Sequence, residues 1–450
     1  MSTSVMWFRL DLRTEDNPAL VRAAEDDEVL PVFVIDPDQW ARAGAARRAW
    51  LAANLLALDD TLGGHLAVHH APAAEVVPQL AADAGAGSVH VTRDLTPFAL
   101  RRDRAVVEAL REAGVEGVAT GTAYAVAPGS VTTKGGTPFK VFTPYSKAWR
   151  EHGWDAPVGA PEVNWAKGET PAEVTEMLQQ AVAECPIDLP DAGEEAAWAR
   201  WTRFRDEALH DYDTDRDRPA VEGTSRMSLD LHLGVLHPRQ LLEDIKDKRS
   251  TGAHTYRTEL AWRDFYAEVL HLNPHTVWRD LNPLDMPYDE PEDAIEAWKR
   301  GETGYPFVDA GMRQLLAQGW MHNRLRMITA SFLTKHLHVW WPLGAEHFLD
   351  HLLDGDVASN SHGWQWVAGT GTDAAPYFRI FNPVTQGQRF DPDGEYVRRW
   401  VPELEHLPGK AVHTPWEHED GYAKGYPRRI VDLAEERKVA LDRYEKARRG

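Results

Sequence analysis

The first 128 residues repeat one pattern: a short β-branched or apolar run, then a longer stretch rich in alanine and leucine. The runs are SVMWFRLD, VLPVFVID, HLAVHH, SVHVTRD and VEGVAT, and ARRAWLAANLLALDDTL is typical of what separates them. Parallel strands cannot be joined by a tight turn. They need a crossover of a dozen or more residues, which a helix fills. The alternation therefore restricts this region to an α/β fold, a doubly wound parallel sheet covered by helices. No G-x-G-x-x-G follows the first run, so the dinucleotide fingerprint is absent. GTGTDAAP at 369–376 has two glycines but lacks the third glycine and the preceding strand.

Residues 129–200 change character. PGSVTTKGGTPFKVF, GAPEVNW and CPIDLPDAGEE are rich in Gly, Pro and acids and read as an interdomain linker with short helical pieces. From 201 to 450 the periodicity is helical, and an all-helical domain is expected. The single cysteine, Cys185, excludes an internal disulfide and a thiolate metal cluster, and no metal is expected. No apolar run is long enough to span a bilayer, and MSTSVMWFRLDLR lacks a signal-peptide layout, so a cytoplasmic setting is expected. The net charge of −21 would by itself argue against nucleic acid. A local basic patch can override it, because DNA responds to the local field.

Three stretches carry chemistry. DGDVASNSHGWQW at 354–366 resembles a calcium loop only at first sight, since Ser359 and Gln365 stand where an EF-hand needs glycine and glutamate. In TYRTELAWRDFYAEVL, Glu259, Trp262, Arg263 and Tyr266 share one helical face. Read as one helix, MRQLLAQGWMHNRLRMITASFL does the same with Trp320, Asn323, Arg324 and Met327. Such faces are either interhelical hydrogen-bond networks or walls of a pocket for a large, flat, polar-edged ligand. GTSRMS at 223–228 is either an ordinary turn and helix cap or, with Arg226, a phosphate cradle.

With these blocks in view, the sequence resembles the DNA photolyase/cryptochrome family, most of all the class I cyclobutane pyrimidine dimer photolyases. The resemblance runs from WFRLDLRTEDNPAL to about Glu403 and is densest in EGTSRMS, ELAWRDFY, TGYPFVDAGMRQLLAQGWMHNRLRMITASFLTK and DGDVASNSHGWQWVAGTGTDAAPYFRIFNP. It implies an N-terminal antenna domain (1–128), a linker (129–200) and a helical FAD-binding catalytic domain (201–450). It implies flavin contacts at Tyr212, Thr224, Ser225, Arg226, Met227, Ser228, Arg263, Asn323, Arg326, Asp354, Asp356 and Asn360, with Arg326 paired to Asp354. Asn360 would face the flavin's central-ring nitrogen, and its amide could turn either oxygen or NH2 toward it. Trp262 and Trp366 would wedge a flipped thymine dimer, with Glu259, Asn323, Arg324 and Met327 as further contacts. Arg324, Arg379 and Lys147 would form a basic rim for DNA. The implied activity is light-driven repair of pyrimidine dimers in UV-damaged DNA by a monomer, with no membrane partner and with the nucleoid as its place when bound to DNA.

The resemblance also implies an electron chain of Trp364, Trp341 and, where many relatives have an outer tryptophan, Tyr288. Trp340, Trp298 or Trp278 are the alternative exits. Ser361 and His362 depart from the Asn-Gly usual in bacterial relatives, which would bear on flavin access or redox tuning. FVIDP and the TPF after Asp94 are similar to relatives that bind 8-hydroxy-5-deazaflavin, with Asp36, Arg47 and Asp94 as the antenna contacts. The rival readings are a (6-4) photolyase, which would place histidine where Asn323 stands, a cryptochrome photoreceptor, and a flavin oxidoreductase.

Overall fold

The computed structural model describes residues 2–373 and 379–449. Part of GTGTDAAPYFRIFNP, and with it the end of GTGTDAAP, lies outside the described residues. The chain forms two units: Met1–Glu207 with Ser225–Pro274, and Ala208–Thr224 with His275–Gly450.

In the first unit the five apolar runs are strands β1 (Thr3–Phe8), β2 (Glu28–Ile35), β3 (Ala67–His70), β4 (Ser88–Arg93) and β5 (Glu116–Thr122). They pair in parallel in the order β3-β2-β1-β4-β5. The chain winds outward from β1 through β2 to β3, then restarts at β4. The carboxyl ends of β1 and β4 therefore mark the switch point of a doubly wound sheet. Val5, Trp7, Leu30, Val32, Val89 and Ala67 bury the sheet face against Val77, Ala81, Val106 and Leu110 of the covering helices.

The Gly- and Pro-rich stretch 129–200 is packed rather than loose. Val29 of β2 exchanges backbone hydrogen bonds with Asn164 and Ala166 at 2.9 Å each. The helix Phe142–His152 lies against the helix Thr251–Leu272, and Ala172–Ala183 lies against Ala45–Thr61. Asp264, fully buried on Thr251–Leu272, accepts from the Val126 N–H at 3.0 Å and the Trp149 indole N–H at 2.9 Å. Composition revealed the irregular backbone here but not these side-chain anchors.

The second unit is helical. Pro306–Gln318, Asn323–Lys335, Trp341–His351 and Val357–Ala368 enclose a core that includes Trp298, Phe307, Phe332, Trp341, Phe348 and Trp364. The TGYPFVDA turn is held by buried Asp309, which accepts from Thr303 N at 2.8 Å and Gly304 N at 3.1 Å and from the Tyr426 hydroxyl. The stretch read as one helix is two. Gly319 leaves the first helix with φ +60, and the His322 side chain caps the second by accepting from Arg324 N at 3.1 Å. Trp320 thus sits in the connection and not on the face with Asn323. The left-handed conformation, which glycine adopts without penalty, overrides a periodicity that runs straight through it. Among the described residues no helix is long and apolar enough to cross a membrane, and no cluster of metal-ligating side chains occurs.

Burial pushes the Asp264 carboxyl up from 3.8 to about 6. The folded state keeps this proton where the unfolded state has lost it, so the stability it contributes is complete only below 3.8 and is lost as pH rises from there through about 6. The difference is about 3 kcal/mol. In urea unfolding at stepped pH, Asp264→Asn is expected to flatten that part of the slope. An identical slope in the variant would remove Asp264 as its source.

Candidate functional site

The helix Val357–Ala368 has two unlike faces. Ala358, Ser361, His362, Trp364 and Gln365 are buried. Asp356, Ser359, Asn360, Gly363 and Trp366 are half-buried and follow one another at helical spacing. On the buried face Gln365 donates to Thr276 O at 2.8 Å and accepts from Leu281 N at 2.8 Å, while the Ser361 hydroxyl donates to Val277 O at 2.9 Å. His362, pushed down to about 4 by burial, reaches Thr276 through a long 3.4 Å contact. Ser361 and His362 therefore fasten the back of the helix and do not line the face that carries Asn360. That answers the question their departure raised: it concerns anchoring of the helix.

On the open face Asp356 caps the helix, accepting from Ser359 N at 2.7 Å. The Asn360 amide NH2 donates to Ala345 O at 3.0 Å. A carbonyl can only accept, so the amide is fixed with its NH2 toward Ala345, and its oxygen and second N–H are left to meet a ligand. The amide does not turn freely, as the sequence reading allowed. A Cβ built on Gly363 would meet nothing within 4 Å, which leaves a bare shelf between Asn360 and Trp366. Just before the helix, buried Asp354 takes both its oxygens to Arg326, at 3.0 and 2.8 Å. Arg326 also donates to Met321 O at 2.8 Å. Asn323, Arg326 and Met327 lie on the unburied side of Asn323–Lys335, whose residues from Ile328 on are buried. Arg324 is turned elsewhere: it pairs with Asp217 and stacks 4.3 Å over Phe390. Its charge is already shared, so it is a weaker member of any basic rim than exposed Arg379. Lys147 faces Glu151 at 3.9 Å. Tyr212 is buried under the Arg216 guanidinium, and Thr224 ends the segment it begins in this unit.

In the first unit, the run Ser225–Ser228 precedes the short helix Ser228–Leu233. Arg226 has φ +54 and Met227 is right-handed, with φ −62 and ψ −9. Successive residues of opposite hand turn their N–H groups to one side, the geometry of an anion nest. Ser225 Oγ binds Met227 N at 3.2 Å and the Tyr256 hydroxyl at 3.1 Å, which holds the nest to Thr251–Leu272. On that helix Glu259 and Trp262 are half-buried. One face of Trp262 is covered by Phe142, stacked at 3.6 Å and 8°, and Tyr266 lies tilted 5.4 Å away. Arg263 gives its guanidinium to Ala123 O and Leu231 O at 2.8 and 3.0 Å.

Asp36 and Asp94 follow β2 and β4 directly, and Arg47 is half-buried on Ala45–Thr61. Asp36 accepts from Gln39 N at 3.0 Å and Asp94 from Thr96 N at 3.0 Å. Sequence reading missed the groups at the switch point. There Trp7 lies under Arg9 and Arg102, at 5.1 and 5.0 Å, and Arg9 pairs with Asp103 at 2.6 Å. Asp11 Oδ2 and Thr92 Oγ1 are buried with no hydrogen-bond partner among the described residues, as polar atoms waiting for a ligand would be. The signal was present in RLDLR, which follows β1, but a charged run after a strand usually means a solvated loop.

Trp364 and Trp341 are buried, and the Trp341 indole donates to Asp280 Oδ1 at 2.8 Å. Tyr288 is half-buried, 6.3 Å from Trp340. Trp298 touches Trp364 at 6.1 Å but is fully buried, whereas Trp340 and Trp278 are about 40% exposed.

The family model for the FAD binding domain of DNA photolyase matches residues 256–446, and that for DNA photolyase matches residues 4–162. A deoxyribodipyrimidine photo-lyase of Streptomyces griseus is 43% identical, covering 100% of this chain and 99% of its own. The structure of a Synechocystis cryptochrome superposes with a TM-score of 0.90 at 29% identity, over 98% of this chain and 99% of that one. An archaeal photolyase from Sulfolobus tokodaii, solved with two FAD molecules, superposes at 0.86 and 29% identity, over 99% of this chain and 100% of that one. The chain belongs to the DNA photolyase family. Each unit by itself offers groups that fit FAD: the first a nest for phosphate, the second an ion pair beside a carboxylate-capped helix and a bare shelf next to an amide.

Gly363 tests the shelf. In a helix interior Ala is more stable than Gly by about 0.5–1 kcal/mol. Gly363→Ala is therefore expected to raise the melting temperature of the flavin-free protein. FAD affinity, read by fluorescence titration, is expected to fall about tenfold, or about 1.4 kcal/mol. Unchanged affinity would mean that the flavin does not use this face.

Proposed function

We propose that this protein is a light-driven deoxyribodipyrimidine photo-lyase acting on cyclobutane pyrimidine dimers in DNA. The observation that carries the reading is the open face of Val357–Ala368, where the Asn360 amide oxygen and the Trp366 indole flank a shelf with no side chain. The chemistry FAD supplies when bound and reduced is one photoexcited electron, lent to the dimer and taken back after the ring opens. The protein's part is position and electrostatics. Arg326 and Asp354 pair through both carboxylate oxygens at the foot of the shelf. The nest at Arg226 takes phosphate, with Tyr212, Thr224, Met227, Ser228 and Arg263 as further flavin contacts. The fixed Asn360 oxygen accepts a proton-bearing ring nitrogen. In the second unit Trp366, Asn323 and Met327 receive the flipped dimer. A dimer stacks and pairs poorly, so its extrusion costs less than that of an intact base.

Against the (6-4) reading stands Asn323 at the position that would need histidine. Neighbouring His322 is pushed down to about 3 by burial and spends Nδ1 on the helix cap. We further propose that Asp36, Arg47 and Asp94, with Arg9 and Arg102 over Trp7 at the switch point, hold an antenna chromophore of the 8-hydroxy-5-deazaflavin type. The support is the pair of orphaned atoms at the switch point, where doubly wound sheets bind ligands.

Reduced protein is expected to restore thymines in a dimer-bearing oligonucleotide under blue light and not in the dark, scored by chromatography. Conversion of (6-4) photoproducts alone would move it to the rival class. Exposed Arg379 tests the DNA interface: Arg379→Ala is expected to lower the log–log salt slope of damaged-duplex binding by about one. A slope equal to that of the unaltered protein would exclude a phosphate contact there.

A further inference from the structure

We propose that Asp280 is the proton acceptor for oxidised Trp341, so that an electron hole reaching this indole is held there as a neutral radical and does not pass on to Tyr288. The inference rests on the reading of Trp364 and Trp341 as electron carriers.

The geometry is that of a positioned base. The Trp341 indole is 1% exposed, and its N–H points to Asp280 Oδ1 at 2.8 Å, inside the range for direct proton transfer. Asp280 is half-buried, so it touches both the core indole and the surface. Its backbone is pinned on either side: Gln365 holds Thr276 and Leu281, and Asn282 donates to Thr370 O at 2.8 Å and Gly371 O at 3.0 Å. The carboxylate is thus fixed relative to the helix that carries Trp364. Tyr288 is placed less well. Its phenol makes no hydrogen bond to a described residue, and its pKa is pushed up to about 12, by burial first and by the Asp280 charge second. A phenol must shed its proton on oxidation, and the carboxylate whose charge acts on it is the same Asp280.

The step balances. Light-excited oxidised flavin is the electron acceptor. Trp341 loses one electron toward Trp364 and its Nε1 proton to Asp280. The indole becomes a neutral radical, Asp280 becomes a neutral acid, and the pair has lost one electron and no proton. Protonated Asp280 can no longer serve Tyr288. Return of the electron draws the proton back.

The test uses flavin-loaded protein and transient absorption after a laser flash. The unaltered protein is expected to show a neutral tryptophanyl radical whose formation slows in D2O. Asp280→Asn keeps an oxygen for the indole N–H but is not a base. In it the tryptophanyl cation is expected to live about tenfold longer or more, with the D2O effect gone. Asp280→Glu is expected to restore the neutral radical. In the dark, the indole N–H resonance of Trp341, identified by its loss in Trp341→Phe, is expected to shift in Asp280→Asn. A neutral radical formed at an unchanged rate in Asp280→Asn, or a tyrosyl signal in the unaltered protein, overturns the proposal. A neutral tryptophanyl radical that forms with unchanged yield and lifetime in Trp341→Phe overturns the electron-carrier reading of Trp341 instead.

Discussion

The side-chain amide of Gln365 holds the catalytic half of this molecule together. It donates to Thr276 O and accepts from Leu281 N, and so clamps the segment 276–281 to the back of the helix Val357–Ala368. Both ends of a fully buried amide are satisfied, as burial requires. Ser361 adds a third fastening at Val277. With its rear face spent on these bonds, the helix can leave its front face open, with half-buried Asn360, Gly363 and Trp366 turned to whatever binds. The same clamp fixes Asp280 against Trp341. One amide thus orients both the face proposed for flavin and dimer and the hydrogen bond on the proposed electron path.

The sheet was legible because its signal is local. Each strand is a short β-branched run, and alternation with helix-length spacers leaves few topologies. The helical unit was legible as helix, but not at Gly319, where a single left-handed residue ends a helix whose apolar spacing continues undisturbed. The candidate residues were legible through long ordered blocks, yet their orientations were not. A two-residue step on a helix rotates about 200°, so Trp364 and Trp366 of SHGWQW must face opposite ways, but the sequence does not reveal which of them is buried. Nor could Asp280 be singled out. It lies 61 residues from Trp341 in sequence, in a stretch with no motif, and only the folded chain brings the two together.

Charge shows the same dependence on folding. A chain at −21 is an improbable partner for DNA by its total. Arg326 and Asp354 neutralise each other, and so do Arg324 and Asp217 and Arg9 and Asp103. What a phosphate meets is the local remainder, and exposed cations such as Arg379 weigh more there than distant surface acids screened by salt.

The tryptophans show how burial sorts residues of one type into different tasks. An oxidised side chain that is to last needs either water around its charge or a base for its proton. Trp298 has neither. It is fully buried, and its N–H goes to the Thr329 carbonyl oxygen at 3.0 Å, which is not a base at neutral pH. For a hole entering at Trp364 it is a neighbour without an outlet, despite its 6.1 Å contact. Trp340 has water, being 40% exposed, but no carboxylate on its indole among the described residues. Trp341 is the reverse: it is dry and faces a carboxylate. A buried cation would be costly in such a place, and loss of the indole proton to Asp280 removes that charge without moving the radical. An outer tryptophan would offer a hole a second solvated stop. With tyrosine in that place, the outer stop needs a proton acceptor of its own, and the stable resting point moves inward to the indole that already has one.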